Sequence, residues 1–281
     1  MLEMMWHGAR NTAYELGRTA FLIPRRLTAA SRSLPDFLIL GAPKAGTTSL
    51  FEIVCRHPQV MRSLYKEVHF FDRNFELGLD WYRAHFPLER RKRRASAITG
   101  EASPSYLGRR HMAERVKSVI PGARFIAVLR NPIDRAYSSY HHFVRYGQEH
   151  RSFEESIPQS SSQFRAEEAP VSPHRADTRS PDRSYLRGGL YHQQLQRWFS
   201  LFPQEQFLIL EFEEAFRDLR PTMERICSHL SISRWETAAQ ERRNVGHYQP
   251  MDPAVREKLR QFYEPHNENL YALLGRSFDW S

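Results

Sequence analysis

The stretch Pro35–Pro58, PDFLILGAPKAGTTSLFEIVCRHP, constrains the fold of this chain more than any other. Its apolar residues 37–40 are bounded by a proline and a glycine, which is typical of a buried strand. Residues 41–46 form a glycine-bounded turn, and the hydroxyl residues that follow predict the N-cap of a helix. A strand, a tight loop and a helix N-terminus in this order direct backbone N–H groups and the positive end of the helix dipole at the loop. The stretch therefore predicts a site for a phosphate-type anion.

Lys44 adds a positive charge inside this loop, but not where a P-loop nucleotide triphosphatase carries it. That loop has its lysine directly after the second glycine, from where it reaches the β- and γ-phosphates. Here Thr47 follows Gly46, and Lys44 precedes that glycine. The pattern favours an anion site with its charge placed differently; an ordinary strand–turn–helix with a surface lysine is the alternative.

Strands and helices alternate along the rest of the chain. Apolar runs predict further strands at Ala97–Ala102, Arg124–Leu129 and Phe207–Phe212, with helical periodicity between them. The alternation predicts a single α/β domain with a P-loop-like, mainly parallel sheet flanked by helices on both faces. Ligands of such sheets lie beyond the carboxyl ends of the strands. Lys44 and Arg130 each follow a predicted strand, and we therefore expect them on the same rim of the sheet.

Two regions fall outside this pattern. Residues 1–34 form a basic extension before a domain of residues 35–281, and they predict a helix packed on the domain, a frayed extension or an amphipathic helix on a membrane surface. Residues 150–184 are rich in Ser, Pro, Arg and Glu without a period, which predicts a long mobile loop. The last predicted helix opens at Asp252 and is broken near Pro265.

The composition narrows the classes of partner. The formal net charge of +9 favours an anionic partner such as a nucleotide cofactor, an acidic glycan, nucleic acid or an anionic membrane. The basic run Arg90–Arg94 is interpreted as a solvated loop, so no nucleic-acid partner is predicted. Two scattered cysteines, Cys55 and Cys227, form no disulfide framework and favour a reducing compartment. No apolar run approaches the roughly 18 residues of a transmembrane helix.

In three stretches the residues resemble sulfotransferases that use 3′-phosphoadenosine 5′-phosphosulfate (PAPS), in particular the heparan-sulfate type and its bacterial relatives. GAPKAGTTSL resembles the loop for the 5′-phosphosulfate, RNPIDRAYSSY the motif for the 3′-phosphate, and KEVHFFD the segment with the catalytic glutamate. The likeness covers most of residues 35–281 and is weakest at 150–184. Two further stretches share it: residues 191–198, with Tyr191 and Trp198, and the C-terminal NENLYALLGRSFDW.

The resemblance implies an enzyme that moves a sulfuryl group from PAPS to a hydroxyl or amine of a saccharide or small metabolite by in-line displacement, with the adenosine 3′,5′-bisphosphate PAP as product. The donor is already activated, so no metal is predicted. The implied cofactor-binding residues are Lys44, Ala45, Gly46, Thr47, Thr48, Ser49, Arg130, Ser138, Asn244, Gly246 and His247.

For catalysis the resemblance implies Lys44 as a stabiliser of the leaving phosphate and Glu67 as the base that takes the acceptor proton. His69 is the rival base. We expect the apolar neighbours Val68 and Phe70 to raise the pKa of Glu67. His141 and His142 are expected to be ordinary residues of a helix face.

Three departures from the family pattern accompany these expectations. Ala102 stands where the heparan enzymes carry a lysine, and Lys66 or an arginine is expected to substitute for its charge. His247 stands in the loop before the last helix where a lysine is expected. The disulfide and Golgi anchor of the vertebrate members are missing from this sequence, which predicts a bacterial-type cytoplasmic enzyme.

Two other functions stay open at this point. A P-loop nucleotide kinase or triphosphatase would share the strand–loop–helix, but the displaced lysine and the absence of a clear magnesium-binding aspartate after a strand disfavour it. A non-catalytic polyanion-binding protein would use the same basic surface. The acceptor, its regiochemistry and the oligomeric state do not follow from the sequence.

Overall fold

A computed structural model describes residues 21–158, 185–235 and 249–280. In these residues five strands form one parallel sheet in the order β2-β3-β1-β4-β5. The strands are β1 Phe37–Gly41, β2 Val60–Arg62, β3 Ile98–Ala102, β4 Arg124–Leu129 and β5 Phe207–Glu211. The expected single α/β domain with a parallel sheet is confirmed, and β2 is an edge strand that the sequence pattern did not reveal because it is only three residues long.

The central strands are buried on both sides because helices cover both faces of the sheet. Every residue of β1 is buried, and β4 is buried from Phe125 onward. Fully buried runs of this kind are expected for a parallel sheet between two helical layers. The helices after β1 are α1 Thr47–Val54, α2 Phe70–Arg73, α3 Gly78–Arg83, α4 Glu89–Arg94, α5 Met112–Val119, α6 Pro132–Arg145, α7 Phe153–Ser156, α8 Tyr191–Phe199, α9 Phe212–Arg217, α10 Leu219–Leu230 and α11 Pro253–Leu274.

Several local expectations change in the folded chain. The last helix, α11, runs through Pro265 without a break, because Tyr263 and His266 on either side of the proline are buried and hold the segment against its neighbours. The basic run Arg90–Arg94 lies in α4 rather than in a loop, with exposed arginines. A short helix, α7, lies within the predicted mobile loop and is capped at its N-terminus by a Ser152–Glu155 capping box. Residues 159–184 of that loop lie outside the described part.

The described end of the basic extension packs on the domain. Residues 21–26 are helical, and Arg25 donates to the carbonyl oxygens of Ala84 and Phe86, the latter at 2.8 Å. Arg32 also donates to the Phe86 carbonyl at 2.8 Å. Of the three alternatives, residues 21–34 therefore fit the packed one. Within the described residues, no helix combines the length and apolar character needed to cross a membrane.

Candidate active site

The loop between β1 and α1, residues 41–46, is named the anion loop. Lys44 and Gly46 have positive φ angles of 69° and 72°. Gly46 is the N-cap of α1 in a left-handed conformation, so the expected cap by a hydroxyl side chain is wrong, and Thr47, Thr48 and Ser49 occupy the first turn instead. Amides of a first turn have no acceptor inside the helix. They are therefore placed to bind an anion held in the loop.

Gly46 allows a close approach of α9 to the anion loop. A Cβ atom at this position would lie 2.6 Å from a ring carbon of Phe216 and 2.8 Å from one of Phe212. Real Cβ atoms do not approach so closely, so the packing of the two rings on the loop requires glycine. The shape of the anion loop thus depends on a helix more than 160 residues later in the chain.

Arg130 lies against the anion loop. Its Nη1 donates to the carbonyl oxygen of Lys44 at 3.2 Å, and its guanidinium carbon lies 5.0 Å from the ring centre of Phe212. The buried Tyr191 hydroxyl donates to the Arg130 carbonyl at 2.9 Å and holds the backbone of this residue. The prediction that Lys44 and Arg130 share one rim is confirmed.

The surroundings of Lys44 are cationic and partly dry. Burial lowers the pKa of Lys44, and the charges of Arg145 and Arg130 lower it further. Glu67 acts in the opposite direction. Among the described residues no carboxylate lies within ion-pair distance of the Lys44 ammonium. A desolvated cation beside other cations is an environment that an anionic ligand stabilises.

Ser138 lies on α6, about two turns after the helix begins, and is half-buried. The start of α6 is as predicted, because the Asn131 side chain accepts from the Ile133 amide at 2.9 Å and Pro132 occupies the first turn. The pairing of Ser138 with Arg130 on one phosphate stays a prediction.

Glu67 and His69 occupy strained backbone positions beside β3. Their φ angles are 61° and 54°, a region that residues with a side chain seldom adopt. The Glu67 amide donates to the Ala102 carbonyl at 3.0 Å, and the His69 amide donates to Ser103 Oγ at 3.1 Å. These two bonds to the end of β3 fix the backbone that carries both side chains. Backbone strain of this kind is concentrated at functional sites.

Lys66, Glu67, His69 and Asp72 are joined in one network, named the base cluster. The Lys66 ammonium lies 2.5 Å from Glu67 Oε1, and His69 Nε2 lies 3.2 Å from Glu67 Oε2. On its other side His69 Nδ1 lies 3.1 Å from both oxygens of Asp72. One imidazole therefore bridges two carboxylates.

Asp72 is the member of this cluster that sequence reasoning missed. Its side chain is fully buried, and it accepts from Ser105 Oγ at 2.7 Å while Arg109 Nε lies 3.7 Å away. The signal available in the sequence was its position three residues after His69, which places both side chains on one face of a helical turn.

The pKa of Glu67 is lowered by the charges of the base cluster and not raised as expected from the sequence. Burial acts to raise it, but the hydrogen bond with His69 and the charge of Lys66 outweigh burial and lower the pKa of Glu67 to about 2. The expectation of a raised pKa is wrong because Val68 and Phe70 face the core, whereas the Glu67 side chain is 43% exposed and lies between two cations.

The pKa of His69 moves the other way. Burial acts to lower it, but hydrogen bonds to Asp72 and Glu67 prevail and raise it. Asp72 itself has a lowered pKa, because its bonds to His69 and Ser105 outweigh its burial. Both carboxylates therefore favour the protonated form of the imidazole that lies between them.

The buried carboxyl group of Glu101 is linked to the base cluster through Ser103. Glu101 has no exposed surface and accepts from the hydroxyls of Tyr82 at 2.8 Å, Tyr106 at 3.1 Å and Ser103 at 2.7 Å. Burial raises its pKa. Because Ser103 also accepts from the His69 amide, this network fixes the backbone that presents His69.

The remaining expected site residues divide into those near the site and those outside the described residues. His142 is exposed on α6, and its pKa is lowered by burial and by the charge of Lys44, with Glu67 opposing, so it lies within electrostatic reach of the site rather than apart from it. Asn244, Gly246 and His247 lie outside the described residues. No group of three or more metal-ligating His, Cys, Asp or Glu side chains occurs in the described part of the chain.

The chain is similar in sequence and in fold to known sulfotransferases. The sulfotransferase domain family matches residues 34–248. Human heparan sulfate glucosamine 3-O-sulfotransferase 6 is 32% identical over 273 residues, which cover 89% of this chain and 74% of that protein. A membrane-associated sulfotransferase, kil1, of Dictyostelium discoideum is 24% identical and covers 88% of this chain and 66% of its own length. The crystal structure of a sulfotransferase from Alicyclobacillus acidocaldarius matches with a TM-score of 0.66 and 30% identity, over 88% of this chain and 99% of that one.

Proposed function

This chain belongs to the sulfotransferase domain family, and on that premise we propose that it transfers a sulfuryl group from PAPS to a hydroxyl or amine of an anionic saccharide or metabolite. The observation that carries the proposal is the contact of Arg130 with the anion loop, 3.2 Å from its Nη1 to the Lys44 carbonyl. This contact supports the proposal because it joins Lys44 and Arg130, the two cations assigned to the phosphates of PAPS, at one rim of the sheet. The charge of Glu67 raises the pKa of Lys44 and so lies within electrostatic reach of it.

The residues present fit a doubly phosphorylated nucleotide. The anion loop supplies the desolvated Lys44, and the first turn of α1 supplies amides for the 5′ end of PAPS. Among the described residues, Arg130 Nε is buried without a hydrogen-bond acceptor. An acceptor such as the 3′-phosphate would satisfy that donor and form a charge-assisted hydrogen bond with it. Ser138 is assigned as the hydroxyl donor to the same phosphate.

The donor supplies an activated sulfuryl group whose transfer leaves a phosphate behind. The protein's own contribution is to hold the two reactants in line and to place Lys44 where negative charge grows on the leaving phosphate. Lys66, in contact with Glu67, is assigned the charge that the family lysine supplies at the place of Ala102.

The base cluster receives the proton of the acceptor. While His69 is protonated, Glu67 has a pKa of about 2 and is a weak base. Loss of the imidazole proton removes the bond that lowers this pKa, because the two groups titrate as a coupled pair. We therefore assign activity to the form with neutral His69, in which Glu67 takes the proton and Asp72 orients the imidazole.

The rim around Glu67 favours an acceptor with negative charge. Lys66 contacts Glu67 directly, and the exposed Arg145 lies near enough to Lys44 to lower its pKa. Cationic side chains beside the reacting centre increase the local concentration of anionic substrates. A pair of acceptors that differ only in one sulfate or carboxylate group tests this preference with labelled PAPS.

The proposed function is tested by binding and by turnover. We expect PAP without magnesium to raise the melting temperature more than ATP with magnesium does, since a ligand stabilises the state that binds it. The opposite ranking supports a nucleotide triphosphatase. We also expect Lys44→Ala and Glu67→Gln to abolish sulfate transfer, and Glu67→Gln to keep its affinity for PAP. An unchanged rate in Glu67→Gln assigns the base role to His69.

A further inference from the structure

The end of β5 brings two carboxyl groups to the binding site proposed for the 3′-phosphate. Glu211 is the last residue of β5 and caps α9, and Glu213 lies in the first turn of that helix. Glu213 Oε1 is 3.9 Å from Arg130 Nε. A carboxylate thus faces the cation that is assigned to hold the 3′-phosphate.

The hydrogen bonds of the two carboxyl groups differ. Glu211 Oε2 accepts from the Glu214 amide at 2.7 Å, and Glu211 Oε1 accepts from Trp280 Nε1 at 3.3 Å. Glu213 Oε2 and Arg130 Nε are both buried without a hydrogen-bond partner among the described residues. Glu213 and Arg130 therefore form an ion pair without a direct hydrogen bond. The Arg130 Nε–H group is left to donate a hydrogen bond to an anion that comes closer than Glu213 does.

Glu213 is also poised to change its charge. Burial and the adjacent Glu211 carboxyl raise the pKa of Glu213 to about 7, with Arg130 acting in the opposite direction. Besides these two groups, the Tyr191 phenol interacts electrostatically with Glu213, and Arg276 interacts with Glu211. Glu211 keeps a lowered pKa because its hydrogen bonds outweigh its burial. The pair thus resembles other close carboxyls, in which one group stays ionised and the other holds a proton.

Resting on the function proposed above, we propose that Glu213 is a titratable counter-ion of Arg130 whose protonation accompanies binding of the 3′-phosphate. An ionised Glu213 neutralises Arg130 and repels the incoming phosphate, whereas a protonated Glu213 leaves the guanidinium charge to the ligand. Glu213 is therefore a positioning residue that acts through Arg130.

Linkage gives the sign of the effect. The bound phosphate adds negative charge beside Glu213 and favours its protonated form, so binding takes up a proton at neutral and higher pH. The affinity for PAP then falls as pH rises above about 7, by up to about tenfold per pH unit while one proton is taken up. The phosphate can itself release protons on binding, which is opposite in sign to the uptake by Glu213. This release is expected to be the same in a variant that lacks the Glu213 carboxylate.

The experiment is calorimetric titration of the full chain with PAP between about pH 6.5 and about pH 8.5, in pairs of buffers with different ionisation enthalpies. The number of protons taken up is compared with that for adenosine 5′-monophosphate, which has no 3′-phosphate. Glu213→Gln preserves the shape of the side chain and removes its titration. Glu214→Gln is the matched control, because Glu214 is the next residue of α9 and faces Arg225 at 3.1 Å.

We expect the wild type and Glu214→Gln to take up more protons with PAP than Glu213→Gln does, and to show no such excess with the monophosphate. Equal proton uptake in the wild type and Glu213→Gln, with tight PAP binding in both, overturns the role of Glu213 and leaves the proposed function intact. The second pKa of a phosphate monoester is about 6, so the phosphate groups of PAP are already ionised at about pH 8.5. Absence of proton uptake by the wild type at that pH overturns the inference even if the variant fails to fold. A wild type that does not bind PAP overturns both proposals.

Discussion

Replacement of Gly46 by alanine tests the dependence of the anion loop on α9. Gly46 has φ 72° and ψ 11°, and a methyl group there would lie 2.6 Å from Phe216 and 2.8 Å from Phe212. Two separate costs are therefore expected. The first is the left-handed conformation, about 1 kcal/mol or slightly more for alanine relative to glycine. The second is overpacking against two rings at once, about 1–3 kcal/mol.

Gly275 provides the matched control. It has φ 66° and ψ 20° at the end of α11, nearly the same conformation, but nothing lies within 4 Å of the position that a Cβ atom would take there. Gly275→Ala carries only the conformational cost, so the difference between the two variants isolates the contact with Phe212 and Phe216. We expect Gly46→Ala to lose about 1–3 kcal/mol more in the free energy of unfolding than Gly275→Ala.

The assay is urea unfolding followed by circular dichroism, with PAP affinity measured on the same preparations. Because Phe212 also contacts Arg130, displacement of its ring is expected to weaken PAP binding of Gly46→Ala by about tenfold or more, which is about 1.4 kcal/mol. Gly275→Ala is expected to bind PAP as the wild type does. Equal losses of stability in the two variants, or wild-type affinity in Gly46→Ala, would refute the packing described for α9.

The remaining predictions concern the base cluster. Asp72→Asn removes a charge that raises the pKa of His69, so we expect the acid limb of the pH profile of kcat to shift to lower pH by about one unit or more. The titration of His69 is followed by NMR in both proteins, and an unchanged acid limb would contradict the orienting role of Asp72. The lowered pKa of Glu67 contributes stability to the fold above about pH 4.5, and this contribution is lost as the pH falls towards 2. The raised pKa of His69 contributes stability below about pH 6.5, and that contribution is lost as the pH rises through the pKa of His69 in the folded protein. The difference in unfolding free energy between wild type and Glu67→Gln should therefore be largest between these limits, and a pH-independent difference would show that the Glu67–His69 contact does not form in solution.

Much of the rim could be predicted because its signals are local. The strand, loop and helix around Lys44 follow one another without interruption, and Asn131 and Pro132 mark the start of α6 within two residues. The parallel arrangement then places both loops at the same edge, because the carboxyl ends of parallel strands share a side of the sheet. The contact of Arg130 with the Lys44 carbonyl is the outcome of that rule.

Local signals failed where packing reversed them. Val68 and Phe70 were expected to surround Glu67, but they alternate away from it into the core. Pro265 was expected to end a helix that buried neighbours on both sides keep continuous. In both cases the sequence pattern was present, and contacts with distant segments decided its result.

The sequence alone determined the chemistry available at the rim: a lysine in a glycine-bounded loop, an arginine after a second strand, and a glutamate and histidine two residues apart. Tertiary structure decided the protonation states, since these depend on which charges and how much water surround each group. Glu213 and Arg130 are 83 positions apart, and Ser105 reaches Asp72 across 33. The pKa of about 2 for Glu67 and of about 7 for Glu213 arise from such contacts, which no local pattern encodes.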